Sequence, residues 1–398
     1  MAPTHQTSDL HGFFVPRDFC PLREEFSLPT DDGVAQLNGE IMLPEEAPPA
    51  TGVLLMVPGG WFAERDGFMG DSYTEADLMY LRLARRICKS GFIVARYDNR
   101  GVTGNEFGIG LTDKGTDPIA DAERYLRTCI DSDVRRSVTD ESLAADAATC
   151  FRCVVEHRHV DPSSIVVFAH SEGGLHVARS IGNGSIKPKG LVFAGTTVLS
   201  PAANMKWQMV DRYVQEIMNW DRDCDGIVSA DDVAQAFGDS FLADVGISED
   251  ALQSKNGHWS HSELTSFFAD RYENEKRDAL SASDDAVYPT VDDDTLRFVA
   301  ASNRWYKQWF LDETPTLELL YDYHGHVAFH YGEIDRQVSV SRETKYIESC
   351  TGRMIREPKV VIHPSRGHAF GLSKPIAGPM DDESEDVLAS EIVAMLRA

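Results

Sequence analysis

The segment IVVFAHSEGG, residues 165–174, decides the fold of this chain. Its apolar start predicts a buried strand, and residues 175–181 can form a helix. Ser171 lies between the two among small residues, so the chain can turn tightly there and lift the serine hydroxyl clear of a sheet. Ser171 is therefore a candidate nucleophile. A buried serine at the start of a helix would leave the same pattern, so the rest of the chain must decide.

Three other segments accompany the serine segment. An apolar strand predicted at 52–57 leads into Pro-Gly-Gly-Trp at 58–61, and two more strands, predicted at 327–331 and 359–363, lead into loops. Together with the segments ERDG at 64–67 and RYDNRG at 96–101, these segments resemble the α/β-hydrolase superfamily, especially its bacterial esterase-like members. The resemblance covers most of the chain. It implies a mostly parallel central sheet flanked by helices.

The resemblance also implies a catalytic triad. In the family the residues follow the order serine, acid, histidine, which here matches Ser171, Asp335 and His368. Serine is a poor nucleophile until a base takes its proton, and the base needs an acid that fixes its tautomer and stabilises its charged form.

Other residues compete for the roles of acid and base. Glu333 is two residues from Asp335 and would point to the other face of an extended segment. Asp322 precedes its strand, His363 lies within a strand and resembles a packed residue, and His170 adjoins the serine, where it is poorly placed to act as its base.

An oxyanion hole follows from the same resemblance. In the family, one backbone N–H comes from the loop after the first of these strands and the other from the residue after the nucleophile, which match Gly60 and Glu172. The chain departs from the family at two positions: Pro58 replaces a frequent histidine, and Ala169 replaces the first glycine of the serine motif.

Composition excludes several classes of protein. The chain has 398 residues, 42% of them hydrophobic, and a formal net charge of −26, which argues against nucleic acid and anionic membranes as partners. No apolar run reaches membrane length, and the N-terminus has neither a basic start nor an apolar core, so we expect a cytoplasmic protein. Its seven scattered cysteines indicate reduced thiols, and Cys150 and Cys153 indicate packing rather than a metal site.

The order of predicted elements divides the chain into three parts. A hairpin is predicted at 22–43, and strands then alternate with helices. The predicted helices include 74–90, 118–129 and 143–157. After residue 195 no segment fits the sheet until about residue 326. We therefore predict a hydrolase core at 1–200 and 321–398, with a strongly acidic helical cap inserted at 201–320.

The cap contains a segment, DRDCDGIVSADD at 221–232, that resembles an EF-hand calcium loop. Helices predicted at 205–220 and 231–237 flank it. The resemblance implies one structural Ca²⁺, although an acidic surface loop that binds nothing is the alternative. Asp232 replaces the glutamate usual at the last position, which leaves magnesium open as a competitor. The implied ligands are Asp221, Asp223, Asp225, the Ile227 carbonyl, Ser229 and Asp232.

A degenerate second loop follows at 252–263, with a helix predicted at 263–277. It keeps the glycine and the final glutamate, but Leu252 stands at the first position, so we expect it to be a structural partner that holds no metal. We predict that the segment around Trp259 pairs with the segment around Val228.

These observations predict a serine hydrolase that cleaves a small-molecule ester through an acyl-enzyme, with a calcium-binding cap. A thioesterase, lactonase, peptidase or carbon–carbon hydrolase could use the same triad. A calcium-responsive binding protein on an inactive hydrolase scaffold is the alternative outside the enzymes.

Overall fold

The structure is a computed structural model that describes residues 22–45, 51–60, 63–69, 77–102, 130–221, 223–229, 232, 258–286, 302–376 and 378–398. Within these residues, eight strands form one sheet and two short strands form another. In chain order, the strands are β1 (Leu22–Pro29), β2 (Gln36–Leu43), β3 (Thr51–Val57), β4 (Ile93–Tyr97), β5 (Val160–His170), β6 (Gly190–Ala194), β7 (Ile227–Ser229), β8 (His258–Ser260), β9 (His326–Gly332) and β10 (Lys359–His363).

The large sheet has the strand order β1-β2-β4-β3-β5-β6-β9-β10. Strand β2 runs antiparallel to both β1 and β4, and every other neighbouring pair is parallel. The predicted hairpin at 22–43 and the predicted mostly parallel sheet are both confirmed. Because parallel strands end at the same edge, the loops after β3, β5, β9 and β10 can meet there.

Helices cover both faces of the large sheet. The described helices are α1 (Met79–Lys89), α2 (Ser132–Arg135), α3 (Asp140–Val155), α4 (Glu172–Gly182), α5 (Pro201–Lys206), α6 (Arg212–Met218), α7 (His261–Ser281), α8 (Asn303–Leu311), α9 (Val340–Ser349) and α10 (Asp382–Arg397). Alternate residues of β3 show the two faces: Val53 and Leu55 belong to the cluster with α3 and α4, whereas Leu54 and Met56 pack with α1 and α10. This two-sided burial explains why the strands are continuously apolar, and it completes the α/β-hydrolase fold.

Some helix limits differ from the predictions. Helix α3 begins three residues before the predicted start, because Thr139 caps it: the Thr139 side chain accepts from the Ser142 N–H, and the Ser142 hydroxyl accepts from the Thr139 N–H. The predicted helix at 205–220 is three consecutive pieces, α5, a π-helical turn (Trp207–Asp211) and α6. The predicted helix at 118–129, and that at 231–237 apart from Asp232, lie outside the described residues.

The region between β6 and β9 supplies most of a separate apolar cluster, which Leu175 of α4 joins. Side chains of α6, α7 and α8 contribute to it, among them Ile217, Phe268 and Phe310. Strands β7 and β8 add Val228 and Trp259, which lie opposite each other in an antiparallel pair, so the predicted pairing of these two segments is confirmed. The domain limits at residues 200 and 320 stay a prediction.

Two further observations concern the described part of the chain. None of its helices combines the length and apolar character needed to cross a membrane. Its cysteines are free thiols, and Cys150 is buried on α3, in agreement with a packing role.

Candidate active site

Ser171 occupies a strained turn between β5 and α4. Its backbone has φ 52° and ψ −125°, and its N–H donates to the Ala194 carbonyl at 2.8 Å. The next residues must be small: a Cβ on Gly173 would lie 2.3 Å from the Pro58 carbonyl oxygen, and one on Gly174 would lie 2.3 Å from the Thr196 side chain. A positive φ in a residue other than glycine is costly, so the surrounding structure has to hold Ser171 in this conformation.

The three residues implied by the family resemblance come together at this turn. His368 Nε2 lies 2.9 Å from Ser171 Oγ, and His368 Nδ1 lies 2.8 Å from Asp335 Oδ2. The other Asp335 oxygen accepts the backbone N–H groups of Gln337, at 2.7 Å, and Val338, at 3.0 Å. Because the carboxylate accepts from Nδ1–H, a neutral ring leaves Nε2 free to accept the serine proton. Asp335 and His368 are each only 7% exposed.

The competing residues have other partners. Glu333 is exposed, and its carboxylate accepts the Ser365 N–H at 2.8 Å. His363 is a buried, packed histidine at the end of β10, and its Nε2 lies 3.0 Å from His330 Nδ1. Asp322 is exposed in the turn before β9. None of these three residues forms a hydrogen bond with Ser171 or His368 within the described residues.

The loop after β3 packs against the serine turn. The Asn99 side-chain amide donates to the Gly59 carbonyl at 3.0 Å and to the Gly60 carbonyl at 2.9 Å. The N–H groups of Gly60 and Glu172 have no hydrogen-bond partner among the residues that the structure describes. Two donors are thus unoccupied near the candidate nucleophile. Asn99 lies in the RYDNRG segment, and the sequence resemblance assigns it no role.

The Glu172 side chain connects the serine turn to the cap. It accepts the Trp305 indole N–H of α8 at 2.7 Å and lies 3.5 Å from His176 Nε2. Asp140 is part of the same buried cluster, whose carboxylate and imidazole atoms lie within 4.8 Å of one another. Such residues can hold a metal. Here, however, Arg179 donates to Asp140 at 3.2 Å and Trp305 to Glu172, so we interpret the cluster as an ionic network.

Asp140 should make stability depend on pH. Burial raises its pKa from 3.8 to about 7, with His176 and Arg179 opposing the shift and Glu172 adding to it. The folded protein therefore holds a proton that the unfolded chain releases, so this stabilisation is present below pH 4 and is lost as the pH rises through 7. Asp140→Asn removes the titrating group while keeping an acceptor for Arg179. Between pH 5 and 8, the wild type should lose roughly a few degrees of melting temperature relative to the variant.

The control for this comparison is the exposed residue Asp322. Melting curves of wild type, Asp140→Asn and Asp322→Asn at both pH values provide the measurement. The two variants should differ in their pH dependence, and equal pH dependence in all three proteins would contradict the assignment to Asp140.

The acidic loop gathers three of its implied ligands. One carboxylate oxygen each from Asp221, Asp223 and Asp225 lies within 4.8 Å of the others. Gly226 has φ +84°, and its N–H donates to Asp221 Oδ2 at 2.8 Å. The glycine thus permits the turn that brings the three carboxylates together.

The remaining implied ligands follow in and after β7. Asp232 accepts the N–H of Ser229 at 2.9 Å and its hydroxyl at 2.6 Å, so these two implied ligands contact each other. Ile227 donates its N–H to Asp225 at 2.8 Å. The first half of the second loop, residues 252–257, lies outside the described residues, as does Trp61.

Comparison with solved structures finds chains of similar fold at low sequence identity. DcsB bound to a substrate analogue superposes with a TM-score of 0.50 at 13% identity, covering 94% of this chain and 98% of the other. A hypothetical protein from Pseudomonas aeruginosa gives 0.51 at 11% identity and covers 98% of each chain. A thermostable carboxyl esterase from Bacillus coagulans gives 0.49 at 14% identity, covering 95% of this chain and 100% of its own. No family model and no curated protein matches the sequence.

Proposed function

We propose that this protein is a serine hydrolase that cleaves carboxylic esters. The observation that carries the proposal is the hydrogen-bonded chain from Ser171 Oγ through His368 to Asp335, at 2.9 and 2.8 Å. Nucleophile, base and acid within hydrogen-bond reach of one another are what activation of a serine requires. The two unoccupied N–H groups beside the serine support the same proposal.

The chemistry would proceed through an acyl-enzyme. His368 Nε2 takes the Ser171 proton as Oγ attacks the ester carbonyl, and Asp335 stabilises the imidazolium that forms. The N–H groups of Gly60 and Glu172 donate to the oxyanion of the tetrahedral intermediate. His368 then protonates the leaving alcohol, and a water molecule repeats the sequence on the acyl group to release the acid.

A substrate panel tests the proposal and its alternatives. p-Nitrophenyl esters of increasing acyl length, matched thioesters, lactones and anilides present the same acyl groups with different leaving atoms. We expect the esters to have the highest kcat/KM. Preference for another class would reassign the activity within the fold, and no turnover of any class would favour a binding protein on an inactive scaffold.

We also propose that the loop at 221–232 binds one structural Ca²⁺. Three oxygen ligands gathered by a turn at Gly226 suit a hard cation that prefers oxygen ligands. Asp221, Asp223 and Asp225 would hold it, and Ser229, Asp232 and the Ile227 carbonyl would complete its ligands. The serine mechanism needs no metal, so the ion would supply stability to the cap.

A direct path links this loop to the candidate acid. Helix α6 precedes the loop, and its Glu216 pairs with Arg336, beside Asp335, at 2.6 Å. Gln208, in the π-helical turn before α6, donates to the Gln337 carbonyl at 3.0 Å. Loss of order at the loop would therefore reach Arg336 and Gln337, the two residues after Asp335, through α6 and the π-helical turn before it.

Calcium should raise the melting temperature of the protein. A ligand that binds only the folded state at one hundred times its Kd stabilises by about 2.7 kcal/mol, so chelation should lower the melting temperature by several degrees and Ca²⁺ should restore it. Asp221→Asn with Asp225→Asn should abolish the response, whereas Asp278→Asn, an exposed cap residue on α7, should keep it. Calorimetric titration with Ca²⁺ and Mg²⁺ gives the affinities. Absence of binding heat together with an unmoved melting temperature would leave an ordinary acidic turn.

A further inference from the structure

A buried chain of hydrogen bonds joins the loop after β3 to the backbone of His368. The Gly59 N–H lies 3.0 Å from Tyr80 Oη, Tyr80 Oη lies 2.9 Å from His170 Nδ1, and His170 Nε2 lies 3.2 Å from the His368 carbonyl oxygen. Tyr80 is on α1 and is 2% exposed, and His170, the residue before Ser171, is 1% exposed. Four separate segments therefore meet in one buried network.

The direction of each hydrogen bond in this network follows from the groups at its two ends, the Gly59 N–H and the His368 carbonyl. The His368 carbonyl can only accept, so His170 Nε2 carries the proton. Burial lowers the pKa of His170 to about 3, so the ring is neutral and Nδ1 is an acceptor. The Tyr80 hydroxyl therefore donates to Nδ1, and burial, which raises its pKa, keeps it protonated. Its oxygen is left to accept the Gly59 N–H, so every donor in the network faces an acceptor.

The network also determines which N–H group of the loop is available. Gly59 donates its N–H to the Tyr80 hydroxyl, and the Asn99 side-chain amide donates to the carbonyls of both Gly59 and Gly60. Among the described residues of this loop, Gly60 has an N–H group without a partner. The fit is close, because a Cβ on Gly59 would lie 3.0 Å from His170 Nδ1 and 3.3 Å from Ser171 Cβ.

We propose that Tyr80 and His170 are positioning residues. They hold the loop after β3, which carries the Gly60 N–H, and the backbone of His368 at fixed positions relative to Ser171. The proposal rests on the serine-hydrolase function proposed above. Neither side chain touches the substrate; each acts through the backbone of Gly59 or His368. Oxyanion donors act only when they are held at the position that the developing charge will occupy, so a shift of the loop should slow the chemical step more than it weakens substrate binding.

A tyrosine that merely packs in the core would give a different result. Loss of its hydroxyl would lower stability but leave kcat unchanged at a temperature where the protein is folded. Tyr323 provides the matched control: it is 8% exposed, and its hydroxyl donates to the Pro188 carbonyl at 2.9 Å, among residues that form no hydrogen bond with the triad.

The test compares Tyr80→Phe with Tyr323→Phe. For each folded variant, kcat and KM on a p-nitrophenyl ester are measured together with the inhibition constant of an alkylboronic acid, which forms a tetrahedral adduct with a reactive serine. We expect Tyr80→Phe to lower kcat by about 10- to 100-fold and to weaken boronate binding in parallel, with KM nearly unchanged. Tyr323→Phe should keep both values. Equal kcat in the two variants would overturn the proposal.

His170→Phe is the second variant and covers the case in which Tyr80→Phe fails to fold. Its ring keeps an aromatic shape but has neither a donor for the His368 carbonyl nor an acceptor for the Tyr80 hydroxyl. It should lower kcat and boronate affinity in the same manner, and wild-type kinetics in this variant would overturn the proposal. Failure of the proposed function is distinguishable, since wild-type protein would then neither turn over esters nor bind the boronate.

Discussion

Ser171→Ala should lower kcat for ester hydrolysis by about 10⁴-fold or more, because loss of any triad member removes the activated nucleophile as a unit. The fold should survive. The substitution removes one partly exposed hydroxyl, and alanine keeps the turn small. The measurement is kcat of the purified variant, with its melting curve as evidence of folding.

Ser180→Ala is the matched control for this substitution. Ser180 is fully buried on the same helix, α4, and its hydroxyl donates to the Ala144 carbonyl at 2.8 Å, far from His368 in the hydrogen-bond network. Its loss should cost stability and leave kcat nearly unchanged. If Ser171→Ala keeps most of the activity while folded, Ser171 is not the nucleophile.

Asp335→Asn should lower kcat by about 10⁴-fold, because an amide can donate to His368 Nδ1 and thereby favour the wrong tautomer. His368→Ala should cripple turnover to a similar degree, since no base remains for the serine proton. Both variants should fold, and kinetics on the purified proteins measure the loss.

Glu333→Gln is the control for the choice of acid. Glu333 is exposed two residues from Asp335, and its hydrogen bond is to the Ser365 backbone. The substitution preserves an acceptor there, so activity should remain near that of the wild type. An inactive Glu333→Gln variant together with an active Asp335→Asn variant would show that Glu333, and not Asp335, is the acid of the triad.

The serine turn is predictable from the sequence around it, because the residues that shape the turn are Ser171 and its immediate neighbours in the chain. The apolar run before Ser171 has to be a buried strand, and the glycines at 173 and 174 are required by contacts with Pro58 and Thr196 that only a glycine allows. The order of the motifs then predicted Asp335 and His368. Their loops follow β9 and β10, neighbouring parallel strands that end at the same edge of the sheet.

The residues that support these loops were not predictable in the same way. Tyr80 lies on a helix, and Asn99 follows a strand, so each reaches the loop after β3 only through the packing of the whole sheet. Trp305 donates its indole N–H to Glu172, which lies more than a hundred residues earlier in the sequence. A buried tyrosine or asparagine has no sequence spacing that indicates its partner, so these contacts depend on three-dimensional structure. The position of His170 before Ser171 likewise gives no sign of its two hydrogen bonds.

Covalent labelling with a fluorophosphonate tests the central claim most directly. The probe reacts with serines activated by a base, and intact mass followed by peptide mapping locates the adduct. We predict a single adduct on the peptide that contains Ser171, absent from Ser171→Ala and slowed in Asp335→Asn. No adduct on folded wild-type protein, or an adduct that persists in Ser171→Ala, would contradict the account.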